Sequence, residues 1–151
     1  MKKVFQISLF VLLMSWTGFS QLITTEQVPV VVKKGFQNKF PNVKRIQWKI
    51  KPDKNYEAEF MLNGSEIAVK IDSTGKWIET ESAALWSTVP SMVKDTVARR
   101  FKKYKVIEIQ TVQWWNKQHV IWEIHLEDVH EIIKTQFEEN GAIINRSAIP
   151  K

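Results

Sequence analysis

Residues 28–41, VPVVVKKGFQNKFP, contain the pattern that decides the fold. After the proline at the second position, apolar side chains recur every four residues at Val32, Phe36 and Phe40. This spacing places them on one side of an α-helix, and proline is well tolerated in the first turn, where a backbone N–H has no partner. We therefore predict a helix near residues 29–40 with these side chains in the core.

The pattern recurs 61 residues later, where residues 89–102 read VPSMVKDTVARRFK. Further along the chain, residues 56–60 resemble residues 122–126, and Gly75 corresponds to Gly141, both at an offset of 66. The larger offset places five extra residues in the second copy, between its helix and its second strand. Self-similarity at a fixed period indicates a repeated structural unit.

Within the first copy, polar and apolar residues alternate along residues 45–50, 56–62 and 66–72. Asn63-Gly64 between the last two segments is a strong hairpin signal, and a last short strand is expected at residues 76–80. Alternation with period two is typical of a sheet with one packed face and one solvent-facing face, and the helix is the natural cover for the packed face.

The sequence thus predicts an α+β fold of two tandem helix-plus-antiparallel-sheet repeats, with both helices on one face of a continuous or near-continuous sheet of about eight strands. Repeat 1 covers about residues 26–80, and repeat 2 covers about 87–146 with its helix near 90–104. Residues 81–88 lack the composition of a flexible linker. We expect them to form a short helical turn packed by Leu85 and Trp86, so that residues 21–151 form a single domain.

The first twenty residues have the organisation of a cleavable signal peptide. Two lysines precede an apolar run from Val4 to Met14, and Gly18 and Ser20 supply the small residues of a cleavage site before Gln21. The apolar run is too short to cross a bilayer, which needs about 20 apolar residues. We therefore expect a periplasmic or secreted protein without a membrane span.

The composition excludes several chemistries. The chain has no Cys, which excludes thiol catalysis and thiolate metal sites, and it contains no nucleophile elbow, phosphate-binding glycine loop or His-Glu-x-x-His motif. The net charge is +6, carried by scattered Lys and Arg residues. These cations either keep exposed faces solvated or attract an acidic protein or anionic surface. An exported chain without a recognised motif is not expected to bind nucleic acid.

One polar constellation invites a test for metal binding. His119, Glu123, His125 and Glu127 share one parity near residues 114–127, which would place them on the solvent-facing side of a strand. His and carboxylate ligands at this spacing suit zinc or a similar ion. The alternative is a polar sheet face with cross-strand charge pairs, and we favour it, expecting no metal, no cofactor and no enzymatic activity.

The tryptophans divide into two groups. Trp48, Trp77 and Trp122 have the parity or turn position of core residues, whereas Trp114 and Trp115 are adjacent. Neighbouring strand residues point to opposite faces, so both cannot be core. Counting by twos from the isoleucines of this segment places Trp115 with the core residues and Trp114 on the solvent-facing side; a bulge would exchange the two, and in either case one ring lies away from the core. An exposed ring there either contacts a partner or covers the stems of neighbouring charged side chains.

These residues resemble the PepSY-like exported proteins, which are related in fold to beta-lactamase inhibitory protein. The resemblance covers about residues 26–146 and rests on the order and doubling of its motifs: Val28 to Pro41, Trp48, Tyr56-x-Ala-x-Phe60 and Asp72-x-x-Gly75-x-Trp77. The second copy departs from the pattern at two positions, with Lys102 in place of Pro41 and Ile143 in place of Trp77.

The resemblance implies a tandem repeat of helices on an antiparallel sheet. It implies protein binding or inhibition rather than catalysis, and it supplies no active site. We therefore expect a binding or inhibitory module with an unknown protein partner, whose candidate contact residues are Trp114, Trp115, His119, Glu123 and His125. A metal-assisted enzyme and a small-ligand carrier are the alternatives.

Overall fold

Antiparallel strand pairing organises the protein, for which a computed structural model describes residues 20–151. The predicted signal peptide lies almost wholly outside the described residues, which form nine strands and two α-helices. Their bounds are β1 Gln21–Ile23, α1 Val30–Lys39, β2 Gln47–Ile50, β3 Tyr56–Leu62, β4 Ser65–Ile71, β5 Trp77–Ala83, α2 Ser91–Arg100, β6 Lys105–Trp114, β7 Ile121–Glu127, β8 Glu131–Phe137 and β9 Ile143–Pro150. The strands lie in one sheet in chain order, each antiparallel to the next.

The two helices form where the four-residue spacing predicts them, and their apolar stripes enter the core. Phe36 of α1 is 1% exposed, and it packs on Trp48 and Phe60 with ring centroids 5.4 Å away in each case. The four residues that lie 61 positions after residues 28, 32, 36 and 40 are buried in the second core cluster: Val89, Val93, Val97 and Phe101. The second helix ends at Arg100, earlier than predicted, since the chain must turn so that Tyr104 packs against the same cluster.

Both helices cover the same face of the sheet, as expected. Val69, in the core cluster of α1, is the cross-strand partner of Thr80, which is in turn opposite Gln113. Thr111 lies two residues before Gln113 and so shares its face, and it is opposite Trp122 in the core cluster of α2. The opposite face, which we call the helix-free face, is covered by no helix of the described chain.

The sheet differs from the prediction in two respects. It has nine strands rather than about eight, because residues 21–23 add an edge strand opposite β2. The predicted short strand at 76–80 runs on to Ala83 and pairs with β6, from Glu79 opposite Trp114 to Ala83 opposite Gln110. This pairing joins the two halves into one sheet, so the connection is a strand for part of its length.

The rest of the connection is less packed than predicted. Residues Trp86–Thr88 form one 3₁₀ turn, but Leu85 is 71% exposed and Trp86 is 40% exposed. The expected packing by these two side chains was wrong, because the two halves are joined by the pairing of β5 with β6 and not by the turn.

Glycines fix the approach of each helix to a sheet turn. Gly75 and Gly141 have φ values of +85° and +80°, and a Cβ on them would lie 2.5 Å from the carbonyl oxygen of Val31 and 2.4 Å from that of Met92. Only glycine tolerates both the positive φ and the close contact. In the β3–β4 hairpin, Asn63-Gly64 has positive φ at both residues, as expected for the two-residue turn.

None of the helices within residues 20–151 has the length and apolar character needed to cross a bilayer.

Candidate binding surface

The helix-free face is lined by alternate residues of the strands from β2 to β9. Although no helix covers it, several of its central side chains are inaccessible: Ile121 is 0% exposed, Val112 1% and Glu123 5%. The face is therefore an ordered layer of side chains rather than a loose solvated surface.

At the centre of the β6–β7 part of this face, an imidazole lies between two carboxylates. His125 Nδ1 is 2.6 Å from Glu108 Oε2, and His125 Nε2 is 2.8 Å from Glu123 Oε1. Both ring nitrogens can donate only when the ring is an imidazolium. Burial of His125 lowers its pKa, but the hydrogen bonds to Glu108 and Glu123 outweigh burial, and the pKa is raised above its usual value. The arrangement holds a positive charge between two negative ones.

Glu123 has the most complete set of partners on the face. Besides His125, its carboxylate accepts a hydrogen bond from Gln136 Nε2 at 2.8 Å and lies 3.6 Å from Lys134 Nζ. Burial alone would raise the pKa of Glu123, but these donors and cations lower it to about 2. The neighbouring Glu108 likewise has a lowered pKa, because the hydrogen bond and charge of His125 outweigh its burial.

Glu81 is in the opposite situation. It lies on β5 opposite Ala68 and Val112, and within residues 20–151 its carboxylate makes neither a salt bridge nor a side-chain hydrogen bond. Burial, followed by the negative charges of Glu123 and Glu79, raises its pKa to about 7. The two central carboxylates thus have widely separated pKa values on one continuous face.

A second group of ion pairs occupies the β2–β5 part of the face. Lys51 Nζ is 3.1 Å from Glu57 Oε2, and Lys70 Nζ is 3.4 Å from Glu79 Oε1. Burial lowers the pKa of Lys70, but Glu79 and Asp53 raise it overall. Cations and carboxylates therefore alternate across the sheet instead of forming a field of one sign.

The adjacent tryptophans both lie outside the core clusters. Trp114 is half-buried on the helix-free face as predicted, and its Nε1 donates to Glu79 Oε2 at 2.7 Å. Trp115, which the count by twos placed with the core, is 54% exposed, with Lys76 Nζ 3.6 Å from its ring centroid. β6 ends at Trp114, so the alternation that placed Trp115 in the core no longer applies.

The structure brings together only some of the predicted site residues. Glu123 and His125 are in contact, whereas His119 lies outside β7 and pairs with Glu138 at 2.7 Å. Glu127 pairs with Lys151. The predicted parity of β7 is otherwise correct, since Trp122, Ile124 and Leu126 enter the core while Glu123 and His125 share the opposite face.

Three important neighbours were missed from the sequence: Glu81, Glu108 and Gln110. The register between β6 and β7 shifts between Val106 and Glu108, which leaves Ile107 without a partner on β7 and sets Glu108 opposite His125. Such a bulge has no sequence signal here. The parity of Glu108 and Gln110 did place them on the solvent-facing side, which was the available clue.

No three His, Asp or Glu side chains in the described part of the chain are arranged to hold a metal ion. His125 uses both ring nitrogens for carboxylates, and His119 is bound elsewhere. The predicted test of convergence among His119, Glu123 and His125 is therefore negative. The alternative favoured from the sequence, a polar sheet face with cross-strand charge pairs, describes the contacts of Glu123 and His125.

Comparisons with known proteins concern the fold. No protein-family model matches the chain, and no curated protein matches its sequence. A DUF2874 family protein from Bacteroides uniformis has a TM-score of 0.71 at 20% identity, covering 80% of this chain and 88% of that one. A presumed periplasmic protein from Bacteroides eggerthii gives 0.71 at 21% identity, with coverages of 81% and 89%.

A BLIP-like protein from Bacteroides fragilis has a TM-score of 0.67 at 18% identity, covering 80% of this chain and 86% of that one. At these identities the similarity shows the fold, and it agrees with the beta-lactamase-inhibitor-like architecture expected from the sequence. The similarity in fold thus extends to a DUF2874 family protein, a presumed periplasmic protein and a BLIP-like protein.

Proposed function

We propose that this chain is an exported, non-catalytic binding module that acts through protein–protein contact on its helix-free face. The observation that carries the proposal is the construction of that face. It spans the sheet, bears no covering element among residues 20–151, and holds its side chains in place through the hydrogen bonds of His125, Glu123 and Trp114. A preorganised surface loses less conformational entropy when a partner binds.

The mixed charge of the face favours specificity in such a contact. The carboxylates and cations named above are paired in the free protein. A partner whose charges are complementary can add contacts to these ion pairs, and none of the paired groups then loses its counter-charge. The likeness in fold to a BLIP-like protein supports the same type of function.

We further propose that the chain is PepSY-like and that residues 26–80 and 87–146 are tandem repeats. Two pairs of contacts support this. Gly75 and Gly141, 66 residues apart, approach the carbonyls of Val31 and Met92, which are 61 residues apart. The helix residues of these two equivalent contacts are 61 positions apart, whereas the glycines are 66 apart. This difference is expected if the second copy carries five extra residues after its helix.

Export is part of the proposal and is tested separately. The order of charged, apolar and small residues at 1–20 supports cleavage before Gln21 and a periplasmic or secreted location. Mass spectrometry of the protein isolated from its native host should give a chain that begins at or near Gln21. Recovery of the intact chain from Met1 in the cytoplasm would contradict it.

The function is tested by capture of a partner. The chain beginning at Gln21 is immobilised and exposed to the exported protein fraction of the host, and captured proteins are purified and titrated against it. The proposal requires a saturable one-to-one complex whose affinity depends on helix-free residues such as Trp114. A complex that is unaffected by changes on that face, or the absence of any saturable complex, would refute it.

A further inference from the structure

An open groove lies at one end of the helix-free face, where β5 leaves the sheet. Pairing of β5 with β4 ends at Ser82 opposite Ile67, and pairing with β6 ends at Ala83 opposite Gln110. After Ala83 the chain leaves the sheet toward α2. The part of β6 from Lys105 to Ile109 extends beyond the end of β5 and has no strand beside it on that side. The resulting groove has a volume of about 610 Å³, within the range of ~300–1,000 Å³ typical of ligand pockets.

The groove is lined mainly by apolar side chains that remain accessible. Leu85 and Trp86 from the connection and Ile107 from β6 line it, with exposed fractions of 71%, 40% and 43%. Ile107 is the bulge residue that has no cross-strand partner on β7. Accessible large apolar side chains gathered around a concavity are typical of interaction sites, and Trp is enriched among residues that dominate binding energy.

The charged residues that line the groove are acidic, and a described cation, Lys94 Nζ, lies 5.8 Å from the ring centroid of Trp86. Glu66 and Glu108 contribute to the lining, and no cationic residue does so. Glu108 is engaged by His125 and Gln110, whereas Glu66 forms no salt bridge or side-chain hydrogen bond with any residue of 20–151. Glu66 therefore offers a free carboxylate beside an apolar slot, and the complementary ligand carries a cation next to an apolar group.

We propose that this groove binds a segment of a partner protein in which a bulky apolar side chain is adjacent to Lys or Arg. The apolar side chain packs against Leu85, Trp86 and Ile107, and the cation pairs with Glu66. The inference rests on the proposed binding function, since Glu66, Ala83 and Glu108 belong to the helix-free face. It specifies one end of that surface and the chemistry of the partner that contacts it.

The proposal is tested with two short peptides, without the natural partner. Acetyl-Gly-Leu-Arg-Gly-amide and acetyl-Gly-Leu-Glu-Gly-amide are titrated separately into the ¹⁵N-labelled protein, and amide chemical shifts are followed by NMR. The arginine peptide should cause saturable shifts confined to residues 83–86, 106–109 and the vicinity of Glu66. Its affinity should exceed that of the glutamate peptide by about two- to fivefold, the range expected for one solvent-exposed ion pair.

Two variants and a matched control sharpen the result. Glu66→Gln should remove the preference for arginine, whereas Glu139→Gln, which removes an exposed charge elsewhere, should keep it. Leu85→Ser should weaken both peptides without altering the rest of the spectrum, because Leu85 is largely exposed and its loss leaves the core intact.

Several outcomes overturn the inference. Equal affinity for the two peptides would show apolar contact alone, and the absence of groove shifts would show that no such segment binds. Groove shifts that depend on protein concentration without peptide would assign the groove to a second copy of the chain. Each result is independent of partner capture: a captured partner that binds Leu85→Ser and the unaltered protein equally well leaves the proposed function intact while removing the groove from it.

Discussion

At the scale of single residues, two carboxyl groups of the helix-free face, Glu123 and Glu81, have pKa values shifted in opposite directions. Glu123 is held ionised by His125, Gln136 and Lys134. Glu81 lies on β5, with β6 between it and β7, and it has no such donors and a pKa of about 7. Two carboxylates of the same chemical type therefore contribute to stability with opposite dependence on pH.

The raised pKa of Glu81 gives a prediction for stability. Between pH 4.5, the usual pKa of this carboxyl, and about 7, the folded state retains a proton that the unfolded state releases. Stability therefore falls as pH rises through this window. Glu81→Gln mimics the protonated form and should raise the free energy of unfolding at pH 8 by on the order of 2–3 kcal/mol, with little effect at pH 4.5.

Urea denaturation at the two pH values measures the Glu81 effect. Glu123→Gln is the opposite control. Its lowered pKa stabilises the fold above pH 4.5, and that stabilisation is lost as pH falls toward about 2, so this variant should be destabilised at pH 7. Equal stability of Glu81→Gln and the unaltered protein at pH 8 would show that the Glu81 carboxylate is well solvated.

His125 provides a second residue-scale prediction. NMR titration of its ring carbons should give a pKa above 6.5, with both nitrogens protonated at pH 6.5. Because the folded pKa is raised, the contribution of His125 to stability is fully present below 6.5 and is lost as pH rises through the folded value. Glu108→Gln should lower this pKa, and Glu139→Gln should leave it unchanged. A pKa below 6.5 in the unaltered protein would contradict the observed pairing.

At the scale of elements, much was predictable because it depends on local pattern. Val32 and Val93 lie at equivalent positions of two amphipathic helices, and both are 0% exposed. The alternation along β7 placed Trp122 in the core and His125 on the opposite face for the same reason. The hairpin turn at Asn63-Gly64 was predictable because these two residue types readily adopt the positive φ values of a two-residue turn.

The elements that were not predicted depend on contacts distant in sequence. The edge strand β1 forms because residues 21–23 pair with β2. Leu85 is exposed because β5 extends along β6 as far as Ala83. The contact between Glu108 and His125 needs the bulge at Ile107. Alternation assigns a side chain to a face, but it does not say which strand lies beside it or where a register shifts.

The turn glycines give a prediction at this scale. Gly75→Ala and Gly141→Ala should each destabilise the fold by several kcal/mol, because the added methyl group meets a helix carbonyl and the backbone is left-handed. Gly64→Ala is the matched control: its φ is +83°, but no atom lies within 4 Å of the added Cβ, so only about 1 kcal/mol of backbone strain is expected. Thermal unfolding distinguishes the cases, and similar losses at all three positions would mean that the helix contacts are unimportant.

At the scale of the whole molecule, the two faces of the sheet differ in composition. Two clusters of apolar side chains lie beneath α1 and α2, while the other face carries the polar networks around His125 and Lys70. Arg99 and Arg100 lie in the last turn of α2, and this helix covers the face opposite the helix-free face. Substitutions on that face can therefore change binding while leaving the cores intact.

The most direct test of the central claim is the affinity of the captured partner for Trp114→Ala and Trp115→Ala, measured by calorimetry at a temperature where circular dichroism shows both variants folded. Trp114 lies on the helix-free face, whereas Trp115 lies beyond the end of β6 against Lys76. Binding through that face predicts that Trp114→Ala loses at least about 2 kcal/mol of binding free energy, or about 30-fold in affinity, while Trp115→Ala binds almost normally. Unchanged affinity of Trp114→Ala, or a selective loss with Trp115→Ala, would contradict it.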